Sequence, residues 1–123
     1  MNQPPDEPRL RLRIVFGPGE MMGPGKAELL ERIRATGSIA AAGREMGMSY
    51  KRAWMLVETL NAMFREPLVT STRGGTGGGG ASLTDTGESV LRLYRAVAAK
   101  AATAGTTELS ALQAMLSDIP DGK

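Results

Sequence analysis

Two glycines four positions apart, Gly43 and Gly47, restrict this chain more than any other feature of its sequence. They lie within residues 39–57, where two helical patterns meet across the short break Met-Gly-Met-Ser at 46–49. Gly47 supplies a turn conformation that other residues resist. Gly43 falls where only a minimal side chain lets one helix cross the next closely. Met46 and Met48 flank the turn as apolar plugs, and Ala53 and Leu56 fall on the inward side of the second helix. A glycine turn, a small residue at the crossing and apolar locks form the helix-turn-helix pattern, in which the second helix projects from the body. A projecting helix suits a major groove about 12 Å wide. Helical hairpins in bundles imitate this pattern, so the flanking residues have to decide.

Ser38 is a good N-cap for the first of these helices and Ser49 for the second. The second runs to about residue 65, with Ala53, Leu56, Val57, Leu60 and Phe64 as its buried stripe and Pro67 beyond its end. It opens on Ser49, Tyr50, Lys51 and Arg52, so a polar, basic first turn coincides with the positive end of the helix dipole. Ser49 and Tyr50 can bond phosphate oxygens, while Lys51 and Arg52 can donate to guanine acceptors, Arg52 in bidentate fashion. The plainer alternative is a solvated first turn in which Ser49 serves only as a cap.

Downstream, the β-prone stretches 68–72 and 81–84 flank the glycine-dense run RGGTGGGG. This order of helix, strand, glycine-rich loop, strand, helix predicts a wing, a hairpin over 68–84 whose tip meets DNA beside the recognition helix. Arg73, Thr76 and Gly77 are the candidate tip contacts, since a glycine-rich backbone can approach phosphates unobstructed. A flexible linker is the alternative, but it explains neither the β-prone flanks nor Arg73. The only tryptophan, Trp54, can stack on a base or sugar; we expect it instead to pack against the wing base or the first helix, the commoner use of a lone Trp at helical spacing.

Upstream, the pattern predicts a helix over 24–36, with Pro24 at its start, Gly37 past its end, and Ala27, Leu30 and Ile33 on one face. Residues 9–16 alternate strictly and predict a strand: Leu10, Leu12, Ile14 and Phe16 on one face, Arg9, Arg11 and Arg13 on the other. The arginine row is either a phosphate-facing edge or, more simply, a charged edge that blocks aggregation. Residues 17–25 read as a turn-rich connector. Gly19, Gly25 and Lys26 do not make a phosphate loop, because the glycine spacing is wrong and Ala27 stands where Ser or Thr is needed. After the wing, Thr84 or Asp85 caps a helix with Val90, Leu93, Tyr94, Val97 and Ala101 along one side and Arg92, Arg95 and Lys100 outward or at the rim. Gly105 breaks it, and a last helix over about 106–118 presents Leu109, Leu112, Met115, Leu116 and, just past it, Ile119.

Composition narrows the chemistry. The 123 residues include no Cys and no His, which removes disulfide scaffolds, zinc fingers, thiol nucleophiles and imidazole catalysis. Carboxylates are scattered singly, so no enzyme and no cofactor is expected. The N-terminal residues 1–8 read as a disordered tail without the apolar run of a secretory signal, and no stretch approaches the ~20 apolar residues of a membrane span. A cytoplasmic protein without metal is the expectation. The net charge of +2 is low for a DNA binder, so local charge must dominate: Lys51, Arg52 and Arg73 on one surface, Asp6, Glu7, Glu108, Asp118 and Asp121 elsewhere.

The runs GSIAAAGREMGMSYKRAW and LVTSTRGGTGGGGASLTDTGESVLRLY resemble the N-terminal DNA-binding domain of the ModE family of molybdate-responsive transcriptional regulators, over roughly residues 9–100. The winged fold is also similar to that of LysR-type regulators. The resemblance implies a mainly α, winged helix-turn-helix protein that binds operator DNA as a dimer, with Ser49, Tyr50, Lys51 and Arg52 opening the recognition helix and residues 73–80 at the wing tip. Family members carry C-terminal oxyanion-binding domains that this sequence lacks, so molybdate binding by this chain is not expected. The expected organisation is a winged helix-turn-helix over 9–85 and helices over 86–119 that form an isologous homodimer interface, with the 9–16 strand as an optional further part of it, so that two recognition helices read half-sites ~34 Å apart. A winged-helix protein-interaction module without DNA specificity is the alternative.

Overall fold

A computed structural model describes residues 8–72 and 80–117. Its first helix, α1 (Pro24–Thr36), occupies the residues that its proline start and glycine stop predict. Gly37 adopts φ 72° and its amide donates to the Ile33 carbonyl, closing the last turn in the left-handed conformation that glycine tolerates. Ala27, Leu29, Leu30 and Ile33 are fully buried, so α1 is the central element of the core.

Two helices follow, the short α2 (Ile39–Glu45) and the longer α3 (Tyr50–Met63). Ser38 accepts a hydrogen bond from the Ala41 amide, and Ser49 from the Arg52 amide, so both serines cap as expected. The wing strands β3 (Val69–Thr72) and β4 (Gly80–Leu83) pair antiparallel in the register Val69↔Leu83 to Thr72↔Gly80. Then α4 (Asp85–Ala104) and α5 (Thr106–Ala114) complete the described chain. Ile39, Ala42, Ala53, Val57, Leu60, Leu68, Val69, Leu91 and Tyr94 close the core around α1.

The N-terminal segment departs from expectation. Instead of one strand over 9–16, the strand is β1 (Ile14–Gly17), and it pairs with β2 (Glu20–Met22), inside the stretch expected to be a connector. The described residues therefore form two small hairpins. Gly19 takes φ 74° at the turn between β1 and β2, and a three-residue partner can pair only this much of the alternating run. Arg9, Arg11 and Arg13 are exposed, whereas Met22 is buried in the core. The segment before β1 is held by the Tyr94 hydroxyl, which donates to the Leu12 carbonyl at 2.6 Å. Lys26 folds back on the same hairpin, donating to the Met21 carbonyl, and desolvation there holds its pKa below the usual lysine value.

The apolar side of α4 is also displaced. Gly87, Leu91 and Tyr94 face the core, while Leu93 and Val97 of the expected stripe are exposed. Gly87 is the cause: it lies against the Leu68 backbone so closely that any β-carbon would collide with the Leu68 carbonyl oxygen. Arg95 lies at the rim of the helix, where it forms a two-pronged ion pair with Glu31 of α1. Among the described residues no helix is long and apolar enough to cross a membrane.

Candidate nucleic-acid interface

The angle between α2 and α3 is set by the turn that joins them. The Met48 amide donates to the Gly43 carbonyl and the Gly47 amide to the Arg44 carbonyl, with Gly47 at φ 74°. This reversal of the chain satisfies the last carbonyls of α2 and points α3 away from it. Gly43 lies at the crossing: a β-carbon built there would sit 2.8 Å from the Ala53 Cβ and 3.4 Å from the Met48 Cγ. The small residue is thus required by direct contact. Met46 and Met48 are half-buried against the core, as the apolar-plug reading anticipates.

With Ala53, Val57 and Leu60 turned into the core, the opposite side of α3 faces solvent. Lys51 and Arg52 are exposed there, and among the described residues neither takes part in an ion pair. Met55, Glu58 and Thr59 continue the same side. The structure thus brings Lys51 and Arg52 together at the N-terminal end of an exposed face. Ser49 is exposed too, but its hydroxyl oxygen is engaged by the Arg52 amide at 3.1 Å. Tyr50 lies on the flank, 60% exposed, edge-on to Trp54 with ring centroids 6.1 Å apart.

That flank faces the wing. Tyr50 and Trp54 share a pocket of about 380 Å³ with Ser38, Ser71, Thr72 and Ala81, so Trp54 packs beside the wing base as expected. Its indole N–H is buried with no partner among the described residues. The wing strands are tied to the helices at both edges. The Ala81 amide donates to the Gly37 carbonyl at 2.9 Å, and the Asn61 Oδ1 accepts from the Leu68 and Val69 amides at 2.8 and 3.0 Å. Asn61 Nδ2 returns a bond to the Val69 carbonyl. Asn61 was invisible to sequence reasoning, because a polar residue within an amphipathic helix reads as solvent-facing. The expected tip residues Arg73, Thr76 and Gly77 lie outside the described residues.

A glycine-jointed helix pair with an exposed basic turn, followed by a strand pair braced against it, defines the winged helix-turn-helix class of DNA-binding modules. Comparison with known sequences is more specific. The chain belongs to the family described as "Bacterial regulatory helix-turn-helix protein, lysR family", whose model matches residues 25–88. It is 47% identical over 81 residues to the molybdenum-pterin-binding protein MopB of Rhodobacter capsulatus, covering 66% of this chain and 30% of that protein. It is 38% identical over 87 residues to the molybdenum transport protein ModE of Azotobacter vinelandii, covering 71% and 32%. To the DNA-binding transcriptional dual regulator ModE of Escherichia coli K12 it is 39% identical over 71 residues, covering 58% and 27%. The chain thus spans about a third of the length of these relatives. The family is one of DNA-binding regulators, not of enzymes.

Proposed function

We propose that this chain regulates transcription by binding a palindromic operator as a homodimer, each protomer placing the first turn of α3 in a major groove. The observation that carries the proposal is the exposed Lys51–Arg52 turn, which makes no ion pair among the described residues and is held at a fixed angle by the Gly43–Ala53 contact. Arg52 is the proposed donor to a guanine edge, with Lys51 on the neighbouring base or phosphate. Tyr50 and the backbone at Ser49 serve the flanking phosphates. Arg73, Thr76 and Gly77 at the wing tip complete the proposed contact on the adjoining backbone.

The second copy is proposed to dock on the apolar side left open by α4 and the N-terminal hairpin. Phe16, Leu93 and Val97 are exposed there around a recess of about 290 Å³, and Leu112 of α5 is exposed too, with Met115 and Leu116 just past its end. So much unburied apolar surface on a small domain supports an interface rather than a solvent boundary. Duplex DNA and a second copy of the chain are its proposed partners.

Selection of bound sequences from a random duplex pool tests the proposal. The expected result is an enriched site with two-fold symmetry and half-sites about one helical turn apart. Arg52→Ala is expected to weaken binding to that site by about 1–3 kcal/mol and relax one base position, whereas a purely phosphate role would weaken all sequences alike and reduce the salt dependence. An unenriched pool, or Lys51→Ala and Arg52→Ala variants that bind as the parent does, would overturn the assignment.

A further inference from the structure

We infer that Met55 is a specificity-determining residue that recognises the C5-methyl group of a thymine in the operator half-site. This rests on the operator-binding reading and goes beyond it by naming a base feature and the side chain that meets it. At 100° per residue, the fully buried positions of α3, Ala53, Val57 and Leu60, define one side of the helix. Met55 lies diametrically opposite them. It falls between Lys51, four residues earlier, and Arg52, three residues earlier, so it occupies the crest of the face whose edges carry the two cations. Its side chain is 53% exposed and takes no part in the core.

An apolar side chain on that crest is informative because the groove floor is mostly polar. The thymine methyl is the apolar feature that the major groove presents, and it distinguishes thymine from the other three bases. A methionine meets it well: the chain is unbranched, its thioether is polarizable, and it carries no charge to desolvate. Lys51 and Arg52 are drawn to guanine and phosphate, and neither can reward a methyl. Met55 sits about 6 Å along the axis from Lys51, given a rise of about 1.5 Å per residue. With bases about 3.4 Å apart, the thymine should lie within about two base pairs of the position read by the basic turn.

The test uses the full chain and the duplex recovered from the random pool. Each thymine of one half-site is replaced singly by deoxyuridine, which removes the methyl and leaves the pairing intact, and binding is followed by fluorescence anisotropy. The parent is expected to bind about fourfold more weakly at one such position, the effect of losing one methyl from an apolar contact. Met55→Ala is expected to bind the thymine and deoxyuridine duplexes alike, to keep its preference at the guanine positions, and to unfold in urea with the parent. Met55→Leu should retain part of the discrimination. The inference is overturned if the parent is indifferent to every deoxyuridine substitution, if Met55→Ala keeps the parent's sensitivity, or if Met55→Ala weakens all sequences equally. A pool that yields no enriched sequence strikes the operator-binding reading itself, and this inference with it.

Discussion

Replacing Gly43 by alanine puts a methyl where the structure has no room for one. The new β-carbon would start 2.8 Å from the Ala53 Cβ, about 1 Å inside the 3.5–4.0 Å at which two carbons attract. Both atoms hang directly on helix backbone, so relief requires α2 and α3 to separate. Overpacking of this kind costs about 2 kcal/mol, while removing a glycine from a helix interior returns about 1 kcal/mol, leaving a net loss of about 1 kcal/mol. Ala53→Gly alone should lose about 2 kcal/mol, half from helix propensity and half from the missing buried methyl. In Gly43→Ala/Ala53→Gly the methyl merely changes helices, so the propensity and burial terms cancel and stability should return close to the parent. The two single losses sum to about 3 kcal/mol, so the coupling energy should approach that value, at the upper end for residues in contact. Urea unfolding of the four proteins, followed by circular dichroism, measures it. If Gly43→Ala is instead more stable by about 1 kcal/mol and the double variant is additive, propensity alone governs the site and the close crossing is refuted.

Three other outcomes follow from the packing. Asn61→Ala strips the acceptor from two buried backbone amides, Leu68 and Val69, and should cost about 2–3 kcal/mol in urea unfolding; Asn61→Asp, which keeps both acceptor bonds and loses one donor, should cost less. The Arg95 hydrogen bond holds the Glu31 carboxyl below its usual pKa, so this ion pair stabilises the fold above the ordinary glutamate value and loses that contribution as pH falls through the lowered one. Because both side chains are substantially solvated, the difference between parent and Glu31→Gln in urea midpoint should be only about 0.5 kcal/mol near pH 7 and should vanish in acid. Leu93→Asp and Val97→Asp place a charge on the open face of α4 without touching its buried side; if this face forms the proposed homodimer, sedimentation should show the parent as a dimer and both variants as folded 13.0 kDa monomers, and a parent that sediments as a monomer would refute the interface.

Much of the helical framework was readable because its boundaries are set locally. Pro24 and Gly37 delimit α1, and Ser38, Gly47 and Ser49 delimit the helix pair, through backbone conformations and caps that need no distant partner. The basic turn at Lys51 and Arg52 was readable for the same reason. The features that were missed depend on tertiary pairing. Alternation over 9–16 describes an extended chain but not the length of its partner, and β2 supplies only three residues. Apolar residues on α4 form two overlapping rows, and tertiary contacts, among them that of Gly87 with the Leu68 backbone and that of Tyr94 with Leu12, decide which row turns inward. Met55 is not of that kind: the stripe of Ala53, Val57 and Leu60 that the spacing predicts already turns it outward, and the structure leaves it exposed.

The bracing of the wing links stability to recognition. Two antiparallel strands of four residues do not persist alone in water, so β3 and β4 must draw their order from what they are fastened to. One fastening comes from α3, through Asn61 to Leu68 and Val69; another comes from the cap of α1, where the Gly37 carbonyl receives the Ala81 amide; a third joins Thr84, the cap of α4, to the Pro67 carbonyl at 2.7 Å. Each tie is made by a residue that also begins, ends or lies within a helix of the core. The wing base therefore cannot shift relative to α3 without breaking a cap or exposing a buried amide. The fixed distance between the basic turn and the root of the wing is thus a consequence of the bonds that stabilise the domain, and the spacing of any DNA contacts made by the two is built in before DNA arrives.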